Sequence, residues 1–383
     1  MTTNRRGAIT LACAAAAGLA WPALGLAARK PSADGIVRLG QSTALTGNNG
    51  AVGRQFRDAA QGWFNLVNNQ GGAGGHRLEL VTLDDGGVVE RATTNAKLLT
   101  STHAVSGFFG FVGPGANREG MQVALEEGVP FIAPVSGMDV LRQQANGHVF
   151  LLRAGHRDEI RQIIRHTSST GITRVGLLFE YESAGWEIRD SFAQAAEAAK
   201  LSSNISASVS RGSADVGASV PALLAANPQA IILSANPSAS AAFVRAARKA
   251  GFGGSFYTVS TVGGQVLLDQ LGPLAVGISV AQVVPFPWGG GTAISREFLA
   301  FCADNKITPD FASMEGYVAA RWLTEALRRA KPREASAAAI ASALERLPAV
   351  NLGGFPLAFN GDTRSASSFV ELTVVSNALK FLK

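Results

Sequence analysis

A glycine-rich loop at residues 113–116 has the composition of an anion-binding helix start. The order Gly113-Pro114-Gly115-Ala116 follows a short apolar segment and precedes a run with helical spacing. The first amides of an α-helix have no carbonyl to pair with inside the helix, and they favour a negative charge. The sequence therefore predicts that this loop binds a carboxylate or another anion. The same residues also fit an ordinary tight turn, and the composition leaves both interpretations open.

A second loop, at residues 134–137, follows the next predicted strand. Its sequence Pro134-Val135-Ser136-Gly137 offers backbone amides and one hydroxyl group. Loops at the carboxyl ends of neighbouring parallel strands form the usual ligand crevice of α/β sheets. We therefore expect the two loops to lie side by side, with the hydroxyl group of Ser136 able to bond the same ligand.

The sequence lacks the familiar patterns of catalysis and metal binding. It contains no His-Glu-x-x-His pair, no Gly-x-Ser-x-Gly nucleophile turn, no P-loop, and no dinucleotide fingerprint after the first predicted strand. Its two cysteines are too few for a cysteine-based zinc site. We therefore predict neither an enzyme nor a bound cofactor or metal ion.

The composition is that of a chain with a sizeable core. The chain has 383 residues, of which 47% are hydrophobic and 16% are charged, which argues against disorder. At roughly 100–200 residues per domain, this length predicts two domains. The formal net charge is +6, but the lysines and arginines are dispersed, so we expect no nucleic-acid partner.

Short apolar segments alternate with helical patterns between residues 36 and 133, and the alternation resumes after Arg153. Strands in βαβ order pair in parallel through right-handed crossovers, with helices on both faces of the sheet. Two apolar stretches, 149–155 and 276–286, interrupt this order, and we interpret them as crossings between lobes. The sequence predicts an α/β fold of two Rossmann-like lobes, with parallel sheets joined by a multi-crossover hinge.

These crossings define the predicted domain boundaries. Residues 35–154 and 286–352 are expected to form lobe 1, and residues 155–285 and 353–383 to form lobe 2. A chain that crosses repeatedly makes a hinged molecule that holds its ligand between the lobes.

Residues 1–28 predict a signal peptide. Arg5 and Arg6 precede an apolar run, 8–20, and small residues follow it. This order is typical of export signals, and the run is too short for a good membrane span. The arginine pair leaves both twin-arginine and general secretory export open. We therefore expect a periplasmic protein.

Several glycine-containing turns and helical segments follow one another in a characteristic order, at residues 44–47, 67–72, 75–80, 84–85, 110–113, 128–131, 243–251 and 313–330. With these segments taken in order, the chain resembles the type I periplasmic binding proteins of the leucine/isoleucine/valine-binding family. The resemblance covers nearly all of the chain after residue 28. It implies a receptor that captures a small-molecule ligand, often an amino acid, and delivers it to the permease subunits of an ABC importer. A periplasmic sensor that signals to a membrane receptor would share this fold, and the site does not separate the two.

The resemblance also implies a ligand site, which this chain alters. The family's carboxylate-binding serine falls at Pro114, which has neither a hydroxyl group nor an N–H group. The amides of Gly115 and Ala116 would have to substitute for it. The family's alanine, which contacts the ligand through its backbone, falls on Val135. The family's threonine falls on Gly137, one place after the serine of the second loop.

Further changes concern the first helix and the second lobe. The family's apolar or aromatic pocket residue in the first loop falls on Val52. Its second-lobe tyrosine, which contacts the ligand, falls on Asn236, and the acidic residue that pairs the ligand's ammonium group falls on Ser260. We expect Tyr181 to face a neutral part of the ligand, and Glu315 to be the first candidate for a replacement acid. Because a buried ammonium group needs a compensating charge, the sequence predicts that the protein is not a strict branched-chain amino-acid receptor.

Overall fold

The computed structural model describes residues 35–47, 50–143 and 148–383. The predicted signal peptide, residues 1–28, lies outside the described residues. Among the residues that are described, no helix is long and apolar enough to cross a membrane.

Strands and helices alternate along the first part of the chain. These elements are β1 (Ile36–Thr43), α1 (Gly50–Asn69), β2 (Arg77–Asp84), α2 (Val89–Ser101), β3 (Gly107–Phe109), α3 (Pro114–Glu127), β4 (Phe131–Ile132), α4 (Val140–Gln143) and β5 (Val149–Phe150).

The same alternation continues in the middle of the chain. Its elements are α5 (His156–Ser169), β6 (Arg174–Tyr181), α6 (Ser183–Ala198), β7 (Ser203–Ser210), α7 (Ser219–Leu224), β8 (Ala230–Ser234), α8 (Pro237–Lys249), β9 (Ser255–Thr258), α9 (Gln265–Leu271) and β10 (Ser279–Gln282).

The last part begins with helices and ends with short strands. Its elements are α10 (Ala293–Asn305), α11 (Phe311–Ala330), α12 (Ala337–Glu345), β11 (Val350–Leu352), β12 (Phe355–Leu357), β13 (Glu371–Val375) and β14 (Phe381–Leu382).

Two main sheets organise these elements. The first has the strand order β2-β1-β3-β4-β5, and all of its pairings are parallel. The second has the order β14-β13-β10-β9-β8-β6-β7. Each sheet has its own buried apolar core. The predicted fold class, an α/β protein with two Rossmann-like sheets, is confirmed.

The second sheet departs from the prediction in one respect, because it is mixed. Strands β6 to β10 pair in parallel, whereas β13 runs antiparallel to β10, and β14 antiparallel to β13. An antiparallel pair needs only a short turn, so the last residues can extend the sheet without another helix. Part of the stretch 276–286 is itself β10, so the chain leaves this sheet only after Gln282.

The predicted domain boundaries stay a prediction. Phe355 and Leu357 are buried in the core of the first sheet, whereas Val375 and Phe381 belong to the core of the second. This packing favours a boundary later than residue 353 for the point at which the chain returns to lobe 2.

Helix α11 is held against α1 by unusually close backbone contact. A Cβ atom added at Gly316 would lie 2.2 Å from the carbonyl oxygen of Phe56. Nearby, the indole N–H of Trp63 donates to the Thr324 hydroxyl over 3.0 Å. Since α11 also provides Glu315 to the site described below, this packing fixes one wall of the cleft.

Gly316→Ala should therefore destabilise the protein, although alanine is the better helix former by about 1 kcal/mol. A methyl group that overlaps a backbone oxygen forces the helices apart, which costs about 1–3 kcal/mol. We expect a lower melting temperature by circular dichroism. Gly253→Ala, where an added Cβ meets nothing within 4 Å, is the control. An unchanged melting temperature for Gly316→Ala would contradict the described α1–α11 contact.

Candidate ligand-binding site

The loop after β3 forms the predicted helix start. Gly113 is the N-cap of α3, with a φ of 101° that L side chains rarely adopt, and Pro114 occupies the first turn. Helix geometry leaves the amides of Gly115 and Ala116 without a partner inside α3. Asn117 completes this turn, and its amide donates to the Gly113 carbonyl over 3.0 Å.

The loop after β4 lies beside it, as predicted from the neighbouring positions of β3 and β4. The amide of Val135 donates to Phe111 O over 2.8 Å, and the Asn117 side chain donates to Val135 O over 3.1 Å. Ser136 is buried, and its hydroxyl oxygen accepts a 3.2 Å bond from the amide of Met138. The structure therefore brings the two first-lobe loops together.

His156 connects these loops to the second sheet. Its amide donates to Gly137 O over 2.8 Å, and its ring occupies the space beside the Gly137 Cα atom. Its Nε2 atom is 3.4 Å from the hydroxyl oxygen of Thr261, which follows β9. A side chain at position 137 would displace this ring, so glycine is required there by packing.

A buried arginine that the sequence analysis does not single out as a site residue joins Ser260 to Glu315. Arg153 follows β5, and its Nη1 lies 3.3 Å from Oε2 of Glu315 on α11. Its Nη2 donates to the Ser260 hydroxyl oxygen and lies 3.9 Å from Oε1 of Glu159 on α5. The amide of Ser260 in turn donates to Oε2 of Glu159 over 2.6 Å.

Burial dominates the electrostatics of this cluster. Desolvation raises the pKa values of Glu159 and Glu315, while the positive charge of Arg153 opposes the rise. Burial, together with Arg153 and Arg142, lowers the pKa of His156 to about 3. His156 is therefore neutral at physiological pH. Its ring can share one proton with Thr261 but adds no charge to the cleft.

The remaining predicted residues lie at the carboxyl ends of β6 and β8 and in the first turn of α1. Asn236 is the N-cap of α8 and also donates to Glu180 Oε1 over 3.2 Å. Tyr181 is 61% exposed and meets Trp186 edge to face, with ring centroids 5.2 Å apart. Val52 is half-buried near the start of α1. No described contact links these three residues to the Arg153 cluster.

The two lobes meet beside this cluster. The Asp139 amide donates to Oε2 of Glu187 on α6 over 2.8 Å, and Arg118 donates to the Ser183 hydroxyl over 2.8 Å. Ala184 shares a buried apolar cluster with residues of the first-lobe loops. In the described conformation α6 therefore contacts Arg118 on α3 and Asp139, which follows the second loop.

Two open surface grooves lie elsewhere. One, of about 430 Å³, runs between α5 and α6, and the other, of about 840 Å³, lies between α5 and residues 356–369. Neither is lined by a predicted site residue. The convergence of strand-end loops, rather than groove size, defines the candidate site.

Comparison with known families places the chain in one of them. The model of the family described as periplasmic binding protein matches residues 36–378. The chain belongs to this family. The resemblance to its type I, leucine/isoleucine/valine-binding members is thereby confirmed. The family is a class of solute-binding receptors that work in the periplasm.

Solved structures of other periplasmic binding proteins superpose on most of the chain. A possible leucine/isoleucine/valine-binding protein from Rhodopirellula baltica SH 1 is 27% identical, with a TM-score of 0.83 over 92% of this chain and 98% of that one. A substrate-binding periplasmic protein from Ralstonia solanacearum is 29% identical, with a TM-score of 0.80 over 90% and 99%.

A more distant neighbour shares the fold. An ABC transporter solute-binding protein from R. palustris, in complex with benzoate, is 18% identical, with a TM-score of 0.77 over 91% of this chain and 95% of that one. The comparison with curated proteins found no match for this chain.

Glu187→Gln should weaken ligand binding without removing a ligand contact. A hydrogen bond to a charged acceptor contributes roughly 1.5–3 kcal/mol when buried, and about half of this at a half-exposed site. Gln can still accept from the Asp139 amide, but without the negative charge. Because the bond joins the lobes, its weakening favours the open state, and the dissociation constant should rise about three- to tenfold. Calorimetry with the best solute from a thermal-shift screen measures this. Glu197→Gln, exposed on the same helix, should bind like wild type, and equal affinities for both variants would contradict the role of Glu187.

His156 should make stability depend on pH. Its pKa is about 3 in the folded protein, against an ordinary value of 6.5 for histidine, so the unfolded chain binds the proton more tightly. Stability from this group is present above pH 6.5 and is lost as the pH falls towards 3. Between pH 7 and 4.5 the loss is about 2–3 kcal/mol.

His156→Gln removes this titration, so its melting temperature should fall less than that of wild type between pH 7 and 4.5. His103→Gln, a replacement of a half-buried histidine after α2, is the control and should keep the wild-type slope. Identical slopes for wild type and His156→Gln would show that His156 is not held neutral.

Proposed function

We propose that this periplasmic binding protein captures a small carboxylate, amide or amino-acid-like solute between its lobes and delivers it to the permease subunits of an ABC importer. The observation that best supports this is the convergence of loops 113–116 and 135–137 of the first lobe with residues 260–261 of the second, through His156. A binding receptor needs no reacting group, and the proposal includes no turnover.

The first lobe offers the elements for a carboxylate. The amides of Gly115 and Ala116 begin α3, where the helix dipole favours a negative charge. Ser136 lies in the adjoining loop, and its hydroxyl proton remains available because the oxygen acts as an acceptor towards Met138. One carboxylate can therefore accept bonds from both loops. This arrangement compensates for Pro114, which lacks a donor.

The second lobe would complete the site on closure. Trp186 and Tyr181 present aromatic surface at the start of α6, and α6 is the helix that contacts Arg118 on α3 and Asp139. A solute that touches both lobes stabilises the closed form over the open form. Benzoate in the R. palustris neighbour makes aromatic monocarboxylates a natural class to test.

A thermal-shift screen over amino acids, aliphatic and aromatic monocarboxylates, amides and sugars tests the proposal directly. A ligand at 100 times its dissociation constant adds about 2.7 kcal/mol of stability. We expect at least one carboxylate or amide to raise the melting temperature by several degrees. If no solute does so, the receptor proposal fails.

Ser136→Ala tests the anion site. Loss of a hydrogen bond to a charged group is worth roughly 1.5–3 kcal/mol, so the dissociation constant for a bound carboxylate should rise about ten- to a hundredfold. Ser168→Ala, exposed at the end of α5, should leave it unchanged. Wild-type affinity in Ser136→Ala would remove Ser136 from the site.

Export forms part of the same proposal. Cleavage of residues 1–28 would release the mature receptor into the periplasm, and its new N-terminus can be read by mass spectrometry of the periplasmic fraction. Retention of the intact N-terminus in the cytoplasm would overturn this part.

A further inference from the structure

Helix α3 carries an arginine that reaches the opposite lobe. Arg118 lies one turn after the Gly115 and Ala116 amides. Its Nη2 atom donates to the hydroxyl oxygen of Ser183, the first residue of α6, over 2.8 Å. Helix α6 packs on the core of the second sheet, so this bond joins the helix that offers the anion site to the start of a second-lobe helix.

The rim of the second lobe at this point carries more negative than positive charge. Glu182 is the N-cap residue of α6, and Glu187 lies in its second turn. Glu180, near the end of β6, adds a third carboxylate beside Glu182. Among the described residues, the cation paired with this group is Arg211, whose Nε atom lies 3.3 Å from Oε2 of Glu182. One second-lobe arginine therefore opposes three carboxylates.

The two half-buried glutamates of α6 attract Arg118. Burial raises the pKa values of Glu182 and Glu187, and the positive charge of Arg118 is among the effects that oppose the rise. Arg118 therefore stabilises the ionised form of both carboxylates from the first lobe. Its interaction with α6 consists of one hydrogen bond and an attraction to two negative charges.

The other charges beside this contact are balanced or point elsewhere. Arg189 pairs with Asp190 on α6, and Asp139 of the first lobe pairs with a cation on α5. Glu119 follows Arg118 directly in α3, where consecutive residues point to different sides of the helix. The net effect of the described charges is thus an attraction between Arg118 and the start of α6.

We propose that Arg118 is an electrostatic latch that holds α6 against α3 when the lobes are together. This proposal rests on the proposed solute-binding function and adds a positioning residue to it. Arg118 acts through α6 and not through contact with the solute, because it stabilises the arrangement in which both lobes can bind. The charges are partly exposed, so salt weakens the latch.

Small-angle scattering of the ligand-free mature protein tests the latch. The two conditions are about 0.01 M and about 1 M sodium chloride, between which the Debye length falls from about 30 Å to about 3 Å. We expect the radius of gyration of the wild-type protein to increase with salt as the lobes separate. In Arg118→Gln it should already be larger at low salt, and it should not change with salt.

A matched control separates the latch from a general effect of charge. Arg346→Gln removes the same charge from the exposed end of α12 and should respond to salt like wild type. Arg118 is exposed, so Arg118→Gln should keep the wild-type melting temperature. Equal salt responses of wild type and Arg118→Gln would overturn the proposal.

Two further variants distinguish charge from hydrogen-bond geometry. Arg118→Lys keeps the charge, and Ser183→Ala removes the hydrogen-bond acceptor but leaves Glu182 and Glu187 in place. Both should retain most of the salt response. If both instead behave like Arg118→Gln, the contact depends on the single hydrogen bond and the electrostatic latch is wrong.

The scattering experiment needs no ligand, so its result is independent of the proposed function. If the radius of gyration responds to salt through Arg118, the latch stands even when no solute of the thermal-shift screen binds. If a solute binds but Arg118→Gln and wild type respond alike, the latch falls and the receptor proposal survives.

Discussion

The ion pairs and hydrogen bonds of Arg153 hold together three segments at one end of the candidate site. The arginine leaves the last strand of the first sheet and binds Glu315 on α11, Glu159 on α5 and Ser260 after β9. Ser260 and Glu315 lie 107 and 162 residues from Arg153 along the chain, whereas Glu159 is close to it in sequence. Charges that leave water must be paired, and removal of one partner from a buried pair typically costs 3–5 kcal/mol. One guanidinium group therefore links the segment after β5 to α5, to the second-lobe loop at Ser260 and to helix α11.

This coupling relates the fold to the proposed binding function. The two sheets supply rigid platforms, and their strand-end loops supply amides and hydroxyl groups at the cleft. The neutral His156 beside Gly137 and the paired carboxylates leave the α3 helix start as the natural place for a negative charge. The contact of Glu187 with the Asp139 amide is a bond between the lobes that involves no ligand atom.

The sequence could predict the fold because it depends on local periodicity. The alternation of apolar and helical segments predicts the strands of both sheets, and the adjacency of β3 and β4 places the Pro114 and Ser136 loops together. The antiparallel direction of the C-terminal strands is missed, since a short apolar run gives no sign of its direction.

The partners of buried charges could not be predicted in this way. Glu315 is expected from the sequence as a free acid for a ligand, yet in the structure it binds Arg153. Nothing in the local sequence shows that Arg153, 162 residues away, points towards it. The sequence does contain a weaker indication of this ion pair, because an arginine lies inside the apolar stretch 149–155. A charged side chain is rarely buried unless residues of other segments neutralise it.

The most direct test of the account is a crystal structure of the mature protein with the monocarboxylate that binds most tightly. The account predicts electron density between the lobes, with the carboxylate within hydrogen-bond distance of the Gly115 or Ala116 amide and of the Ser136 hydroxyl, and with Arg153 still bound to Glu315. Density in either groove beside α5, or a ligand carboxylate bound far from α3, would contradict it.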